Sequence, residues 1–230
     1  MNCSSKSCAV PNQFKLVVFD MDSTLIDAEV IDELANAAGA AAEVSKITRL
    51  AMNGEMDYTE SFQKRVAFLK GLSYEKAMDA VSKIQIMPGA PELIDFIHST
   101  GSKTAMITCG FNLVADRVER ELNLDYVFSN ELVVKDGLLT GEATGLLRTT
   151  NSKEKVFEKI VEEHGFRFSE CVVVGDGAND ICLFKRAGYS IAFNAKPTVQ
   201  KHANIAVAEK DLRCVIPILK ELISRPPCPV

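Results

Sequence analysis

The sequence predicts an α/β fold: a doubly wound, Rossmann-like parallel sheet with an inserted helical bundle and a small β-hairpin flap. Three observations predict it. Two continuous apolar runs, "KLVVF" before Asp20 and "CVVVG" before Asp176, lack the alternation of a half-buried strand and suit the middle of a sheet covered on both faces. Strand-like and helix-like stretches alternate from about residue 86 onward, as in a parallel sheet with crossover helices. Between Glu29 and about Ile84 no apolar strand run occurs, and stretches with helical spacing take its place. A chain of 230 residues has room for one core and one such insert.

Taken in order, "FKLVVFD" is the first strand and belongs at the centre of the sheet. The stretches "EVIDELANAAG", "AAEVSKITRLAMNG", "DYTESFQKRVAFLKGL" and "SYEKAMDAVSKI" are four helices, with Gly39, Gly54 and Gly71 as stops. "MPGAPELIDFIHSTG" opens a helix behind Pro88 and Gly89, "KTAMIT" is a short strand, and "FNLVADRVERELN" is a helix. "YVFSNELVVKDGLLTGEATG" forms strands around the turn pair Asp136-Gly137. A helix in "SKEKVFEKIVEEHG", a strand and helix in "CVVVGDGANDICLFKRAG", and short strands in "YSIAF" and "NIAVA" complete the pattern. The expected division is a flexible extension at 1–13, a catalytic core at 14–28 and 86–222, a helical cap at 29–85 and a flexible tail at 223–230.

A net charge of −5 without a basic block argues against nucleic acid or an electrostatically bound membrane surface. No apolar run approaches the roughly 18 residues that a membrane-spanning helix needs. The opening "MNCSSKSCAVPNQF" lacks the apolar stretch of a signal peptide, so the expected location is the cytoplasm. The seven cysteines are scattered without a CxxC, and three histidines do not complete a zinc site, so reduced thiols are expected. The expected partners are small molecules, and no pattern specifies an oligomer.

In an open parallel sheet the ligand crevice lies outside the carboxyl ends of the strands, which brings Asp20, Asp22 and Asp176 toward one cleft. Converging carboxylates repel one another and lose hydration unless a cation sits among them. Hard oxygen donors at strand ends suit Mg²⁺, which binds through one or two carboxylates plus a substrate phosphate. A Ca²⁺ loop starting at Asp20 fails, because position 6 is Leu25 rather than Gly and position 12 is Ile31 rather than Glu.

"DMDST" after one buried strand, "ITCGF" after a second, Lys153 on a helix and "GDGAND" after a further strand resemble, in that order, the four signatures of the haloacid dehalogenase superfamily. Within it, Glu29, the "KRV" containing Arg65, "KDGLLTG" and "GDGANDICLFKRAG" make the stretch from Phe14 to about Leu219 resemble the phosphoserine phosphatases. The resemblance implies Mg²⁺-dependent hydrolysis of O-phospho-L-serine through an aspartyl-phosphate, the last step of serine biosynthesis. It makes Asp20 the nucleophile and Asp22 the general acid and then base, with Thr108 and Lys153 holding the phosphoryl group. It gives the metal to Asp20, the backbone carbonyl of Asp22, Asp176 and, through bound waters, Asp180. Substrate recognition falls to Glu29 for the ammonium and Arg65 for the carboxylate, with Tyr58 and Met52 as an apolar wall and Asn179 against the substrate. One departure stands out. Where the family has a serine and two glycines before phenylalanine, this chain has Thr108, Cys109, Gly110 and Phe111, which sets a thiol beside the substrate.

Pattern alone leaves plainer readings open. Lys153 equals Lys155 and Lys159 as a solvated helix lysine; Thr108 is a candidate N-cap; Asn179 and Asp180 suit a helix start without any metal. Arg65 and Glu29 read equally as surface charges, and Tyr58 and Met52 as packing. Two other functions share the motifs. One is a phosphotransferase passing the group to homoserine, or a phosphatase for another small monoester; the other is a phospho-accepting receiver-like signalling module.

Overall fold

Leu16, Val17, Val18 and Phe19 form β1 (Leu16–Phe19), and all four are fully buried. Their side chains alternate between two separate apolar cores, Val17 and Phe19 in one and Leu16 and Val18 in the other, because successive strand residues point to opposite faces. Burying each such side chain contributes about 1.5–3 kcal/mol, which is why the run is apolar throughout. The computed structural model describes residues 14–52 and 55–224. The extension at 1–13, the Gly54 stop and the tail from 225 lie outside the described residues.

β1 pairs in parallel with β2 (Lys103–Phe111) on one side and β5 (Cys171–Gly175) on the other, with Phe19 opposite Met106 and Val174. With β3 (Tyr126–Lys135), β4 (Leu138–Thr144), β6 (Tyr189–Phe193) and β7 (Ile205–Val207), the sheet runs β4-β3-β2-β1-β5-β6-β7. Only β3 and β4 are antiparallel, and Asp136 (φ 52°) with Gly137 (φ 75°) supplies the two left-handed residues that their tight turn needs. One face carries α5 (Ala90–Ser99), α6 (Asn112–Leu122) and α10 (Val215–Ser224); the other carries α7 (Ser152–Glu163), α8 (Ile181–Arg186) and α9 (Pro197–Gln200). The strand order reverses at β1, so the carboxyl ends of β1, β2 and β5 form the crevice.

Four helices fill the stretch between β1 and α5: α1 (Val30–Ala38), α2 (Ala41–Met52), α3 (Tyr58–Ala67) and α4 (Tyr74–Ser82). The chain enters and leaves this insert side by side, through an antiparallel bridge of Ile26 with Ile86. Asp27 N–H donates to the Gln85 carbonyl at 3.0 Å and Met87 N–H to the Leu25 carbonyl at 2.8 Å. Arg117 of α6 donates to the carbonyls of Ser82 (3.1 Å) and Ile84 (2.7 Å), satisfying acceptors that the end of α4 leaves open. The α3–α4 connection pairs with β4: Gly71 N–H reaches the Leu139 carbonyl at 2.9 Å and Leu139 N–H the Leu72 carbonyl at 2.8 Å. That contact covers part of an otherwise exposed sheet edge. At the start of α3, Asp57 Oδ1 accepts from the Thr150 hydroxyl at 2.9 Å, and Thr150 N–H donates to Thr59 Oγ1 at 3.2 Å.

Two departures from the sequence reading concern lengths. β2 runs on past Thr108 to Phe111. The apolar spacing of Val215, Leu219 and Leu222 forms α10, which extends to Ser224, so residues 223 and 224 belong to a helix rather than to the expected tail. Pro217 masks this helix in the sequence, yet it sits in the first turn, where a missing N–H breaks no intrahelical bond.

Glu170, just ahead of β5, is buried and takes hydrogen bonds from the Arg167 N–H (3.0 Å) and guanidinium (2.8 Å), with Lys15 Nζ at 3.0 Å. The Arg167 guanidinium holds its carboxyl down to about 2, although burial works the other way. A depressed folded-state value means that the carboxylate stabilises the fold fully above the ordinary glutamate range and that this contribution is lost as pH falls toward 2. Acid unfolding followed by circular dichroism should therefore show a shallower loss of stability between pH 5 and about 2 in Glu170→Gln than in the wild type. Parallel acid limbs would refute this role.

Candidate active site

Asp20 ends β1, where its N–H still reaches the Val174 carbonyl of β5 at 3.1 Å and its carboxylate accepts its neighbour Met21 N–H at 2.7 Å. The backbone then reverses through Ser23, a non-glycine residue at φ 55°. Two contacts hold this unfavourable conformation: Ser23 N–H to the Ala28 carbonyl at 3.1 Å and Ser23 Oγ to Glu29 Oε1 at 2.7 Å. The reversal turns Asp22 inward. Its Oδ1 accepts the Val30 N–H that opens α1 (2.8 Å), and its Oδ2 accepts the Thr108 hydroxyl of β2 (3.2 Å).

Thr108 Oγ1 also accepts the Gly110 N–H at 2.8 Å, so it braces the end of β2 and does not cap α6, whose N-cap is Phe111. A Cβ at Gly110 would lie 2.7 Å from Asp22 Oδ2, so only glycine lets the strand pass this carboxylate. Cys109, by contrast, is absent from the described non-glycine residues with positive φ, and the backbone accepts its side chain without left-handed strain. Buried Asn130 of β3 donates to the Cys109 carbonyl at 3.0 Å and exchanges bonds with Leu147, which fixes this strand end from outside.

Lys153, the second residue of α7, is 2 % exposed, and its ammonium lies 2.7 Å from Asp20 Oδ2 and 2.7 Å from Asp180 Oδ1. Lys155 and Lys159 on the same helix are exposed, so burial separates the three lysines that pattern could not. Asp180 Oδ2 accepts the Gly177 N–H at 3.1 Å, and Asn179 Nδ2 donates to Asp20 Oδ2 at 3.4 Å. Oxygens of Asp20, Asp176 and Asp180 come within 4.8 Å of one another.

Burial first, then Glu29 and Asp20, push the Asp22 carboxyl up to about 8. Burial with Asp20 and Asp180 pushes Asp176 up to about 8, and burial with Asp20 pushes Asp180 to about 6. Glu29 is raised by burial, with Asp20 and Asp32 adding to it against the Ser23 hydrogen bond. Burial alone would lower the Lys153 ammonium, but Asp180 and Asp20 hold it well above the ordinary lysine range. This excess of crowded carboxylates over one ammonium fits a hard divalent cation held by Asp20, Asp176 and Asp180. The Asp22 carboxylate stands outside that trio, since Val30 and Thr108 occupy its oxygens.

The remaining expected residues come from the insert. Arg65 on α3 is half-buried, donates to the Ser61 carbonyl at 3.4 Å, and acts electrostatically on Glu29 and Asp32. Tyr58, at the start of α3, faces Cys109, Arg65 and Lys153. Met52 is not brought to this group: at the end of α2 it is 59 % exposed, with Lys196 Nζ 3.7 Å from its sulfur. Sequence reading missed Ser23 and Asn130. A serine six residues before the glutamate that opens a helix gives no signal, and the trace of Asn130 is a polar side chain inside the run "YVFSNELVV".

Residues 14–188 match the haloacid dehalogenase-like hydrolase family. The chain belongs to that family. As a haloacid dehalogenase-like hydrolase, it is 43% identical over 206 residues to a phosphoserine phosphatase of Methanocaldococcus jannaschii, covering 90% of this chain and 98% of that protein. A phosphoserine phosphatase of Streptococcus thermophilus is 42% identical over 207 residues, with 90% of this chain and 96% of that protein covered. Two solved structures superpose with a TM-score of 0.85 at 42% identity, covering 90% of this chain and 99% of theirs: a phospho-aspartyl intermediate analogue of phosphoserine phosphatase and a substrate-bound phosphoserine phosphatase complex. The seven-stranded sheet of this hydrolase and its flanking helices are the fold that the sequence predicted.

Proposed function

We propose that this hydrolase is a Mg²⁺-dependent phosphoserine phosphatase, converting O-phospho-L-serine to L-serine and phosphate in the cytoplasm as the last step of serine biosynthesis. The observation that carries the chemistry is the buried Lys153 ammonium shared between Asp20 and Asp180, beside an Asp22 carboxyl that burial, Glu29 and Asp20 push up toward the protonated form a general acid needs. A carboxylate Oδ of Asp20 attacks phosphorus, the P–O bond to serine breaks, and Asp22 delivers its proton to the departing serine oxygen. The resulting aspartyl-phosphate is hydrolysed when Asp22, now a carboxylate, takes a proton from water as that water attacks phosphorus. Asp20 is then free, and phosphate leaves. Lys153 and the Thr108 hydroxyl hold equatorial phosphoryl oxygens throughout. Asp20, Asp176 and the Asp22 carbonyl, with Asp180 through bound waters, would hold Mg²⁺, which would supply positive charge to the phosphoryl group.

Residues 29–85 act as a cap that excludes water and reads the amino acid, with Glu29 for the ammonium and Arg65 for the carboxylate. No described helix is long and apolar enough to cross a membrane. The test is initial-rate phosphate release from phosphoserine, phosphothreonine, phosphoglycolate and glycerol phosphate, each with Mg²⁺ and with EDTA. Phosphoserine should be strongly preferred and EDTA should abolish release. Metal-dependent preference for another ester would overturn the substrate, and no turnover of any ester would overturn the enzyme.

A further inference from the structure

The Tyr58 hydroxyl is buried, yet it meets no hydrogen-bond geometry with any described residue. Its ring is not loose: it lies 6.2 Å from the Phe62 ring, which in turn lies 6.1 Å from Phe111 at the end of β2. The groups that act on the hydroxyl are the Cys109 thiol, Arg65 and Lys153. The Cys109 thiol is near enough to take a weak hydrogen bond from it, and burial pushes that thiol up to about 11, so it stays a neutral sulfur acceptor. A buried hydroxyl without a full hydrogen bond is destabilising, and such a group in a native fold calls for a partner that completes it. The two charges that act on it, Arg65 and Lys153, are both positive, so the partner that suits this position is an anionic oxygen. Its own proton is held more tightly than in free tyrosine, chiefly by burial, so the group is a donor throughout the neutral range.

We infer that the Tyr58 hydroxyl is a specificity-determining donor to an anionic oxygen of the bound ester, its hydrogen bond completed only when substrate lies between Arg65 and Lys153. This rests on the phosphoserine reading and gives α3 a polar contact where the sequence offered an apolar wall. Phosphoserine carries two such oxygen sources, its phosphate and its carboxylate.

The experiment compares wild type and Tyr58→Phe on phosphoserine and on phosphoethanolamine, which keeps the phosphate and ammonium and lacks the carboxylate, together with Tm of the free proteins. The expected result is a KM for phosphoserine raised about ten-fold with kcat little changed, because a hydrogen bond made equally in ground and transition states is lost. Tm of the free variant should be unchanged or higher, since the substitution deletes an unpaired buried hydroxyl. A loss confined to phosphoserine assigns the carboxylate; an equal loss on both esters assigns the phosphate; either supports the inference. Unchanged KM on both esters overturns it, and so does a lowered Tm with unchanged KM, which would make the hydroxyl structural. A wild type inactive on phosphoserine would overturn the parent reading, visibly and before any variant is compared.

Discussion

Asp20→Asn is expected to lower kcat by more than about 10⁴-fold, because an amide in place of the attacking carboxylate forms no acyl phosphate and the covalent route closes. The fold should survive. Asp20 is one of three carboxylates drawn within 4.8 Å of one another, and removing its charge relieves repulsion on Asp176 and Asp180. Lys153 keeps its 2.7 Å contact with Asp180. Tm should thus stay level or rise while turnover vanishes, and rapid acid quenching with radiolabelled phosphoserine should trap label on wild-type protein and none on the variant. Normal turnover by Asp20→Asn would remove Asp20 from the nucleophile's role.

Lys153→Met should be the next most damaging change, and it should fail in both rate and stability. Losing a preorganised donor at a phosphoryl oxygen costs about 10²–10³ in kcat. The same substitution leaves Asp20 and Asp180 buried without their ammonium, and breaking a buried pair in this way costs up to about 3–5 kcal/mol, softened because the carboxylates take up protons instead. Lys155→Met, on the same helix but exposed, is the matched comparison and should change neither quantity. Similar small effects from both substitutions would mean that Lys153 is one more helix lysine.

Much of this arrangement was legible because it rests on burial of apolar backbone. β1 and β5 announced themselves as unbroken apolar runs, and Asp136-Gly137 as a turn that only left-handed residues can make. The chemistry was legible in part, since carboxylates at strand ends have few other uses. What stayed hidden depends on contacts distant in sequence. Lys153 differs from Lys155 only in what surrounds it, and Met52 ends in solvent because α2 stops there. Ser23 acquires a role only once Glu29 folds back over it, and Pro217 obscured α10 by suggesting a break where the helix merely begins.

The seam at Ile26 and Ile86 has a mechanical consequence. At that seam the insert is fastened by backbone hydrogen bonds and by Arg117, and at β4 by the backbone bonds of Gly71 and Leu72 with Leu139, while at the start of α3 it is held through the side chains of Asp57 and Thr59 against Thr150. Exposed side-chain bonds yield before a backbone pair backed by a guanidinium. A body restrained so unequally is softest where the start of α3 meets the loop ahead of α7. Product should then depart on the Thr150 side, and thermal motion there, rather than at the seam, should set how often the crevice opens.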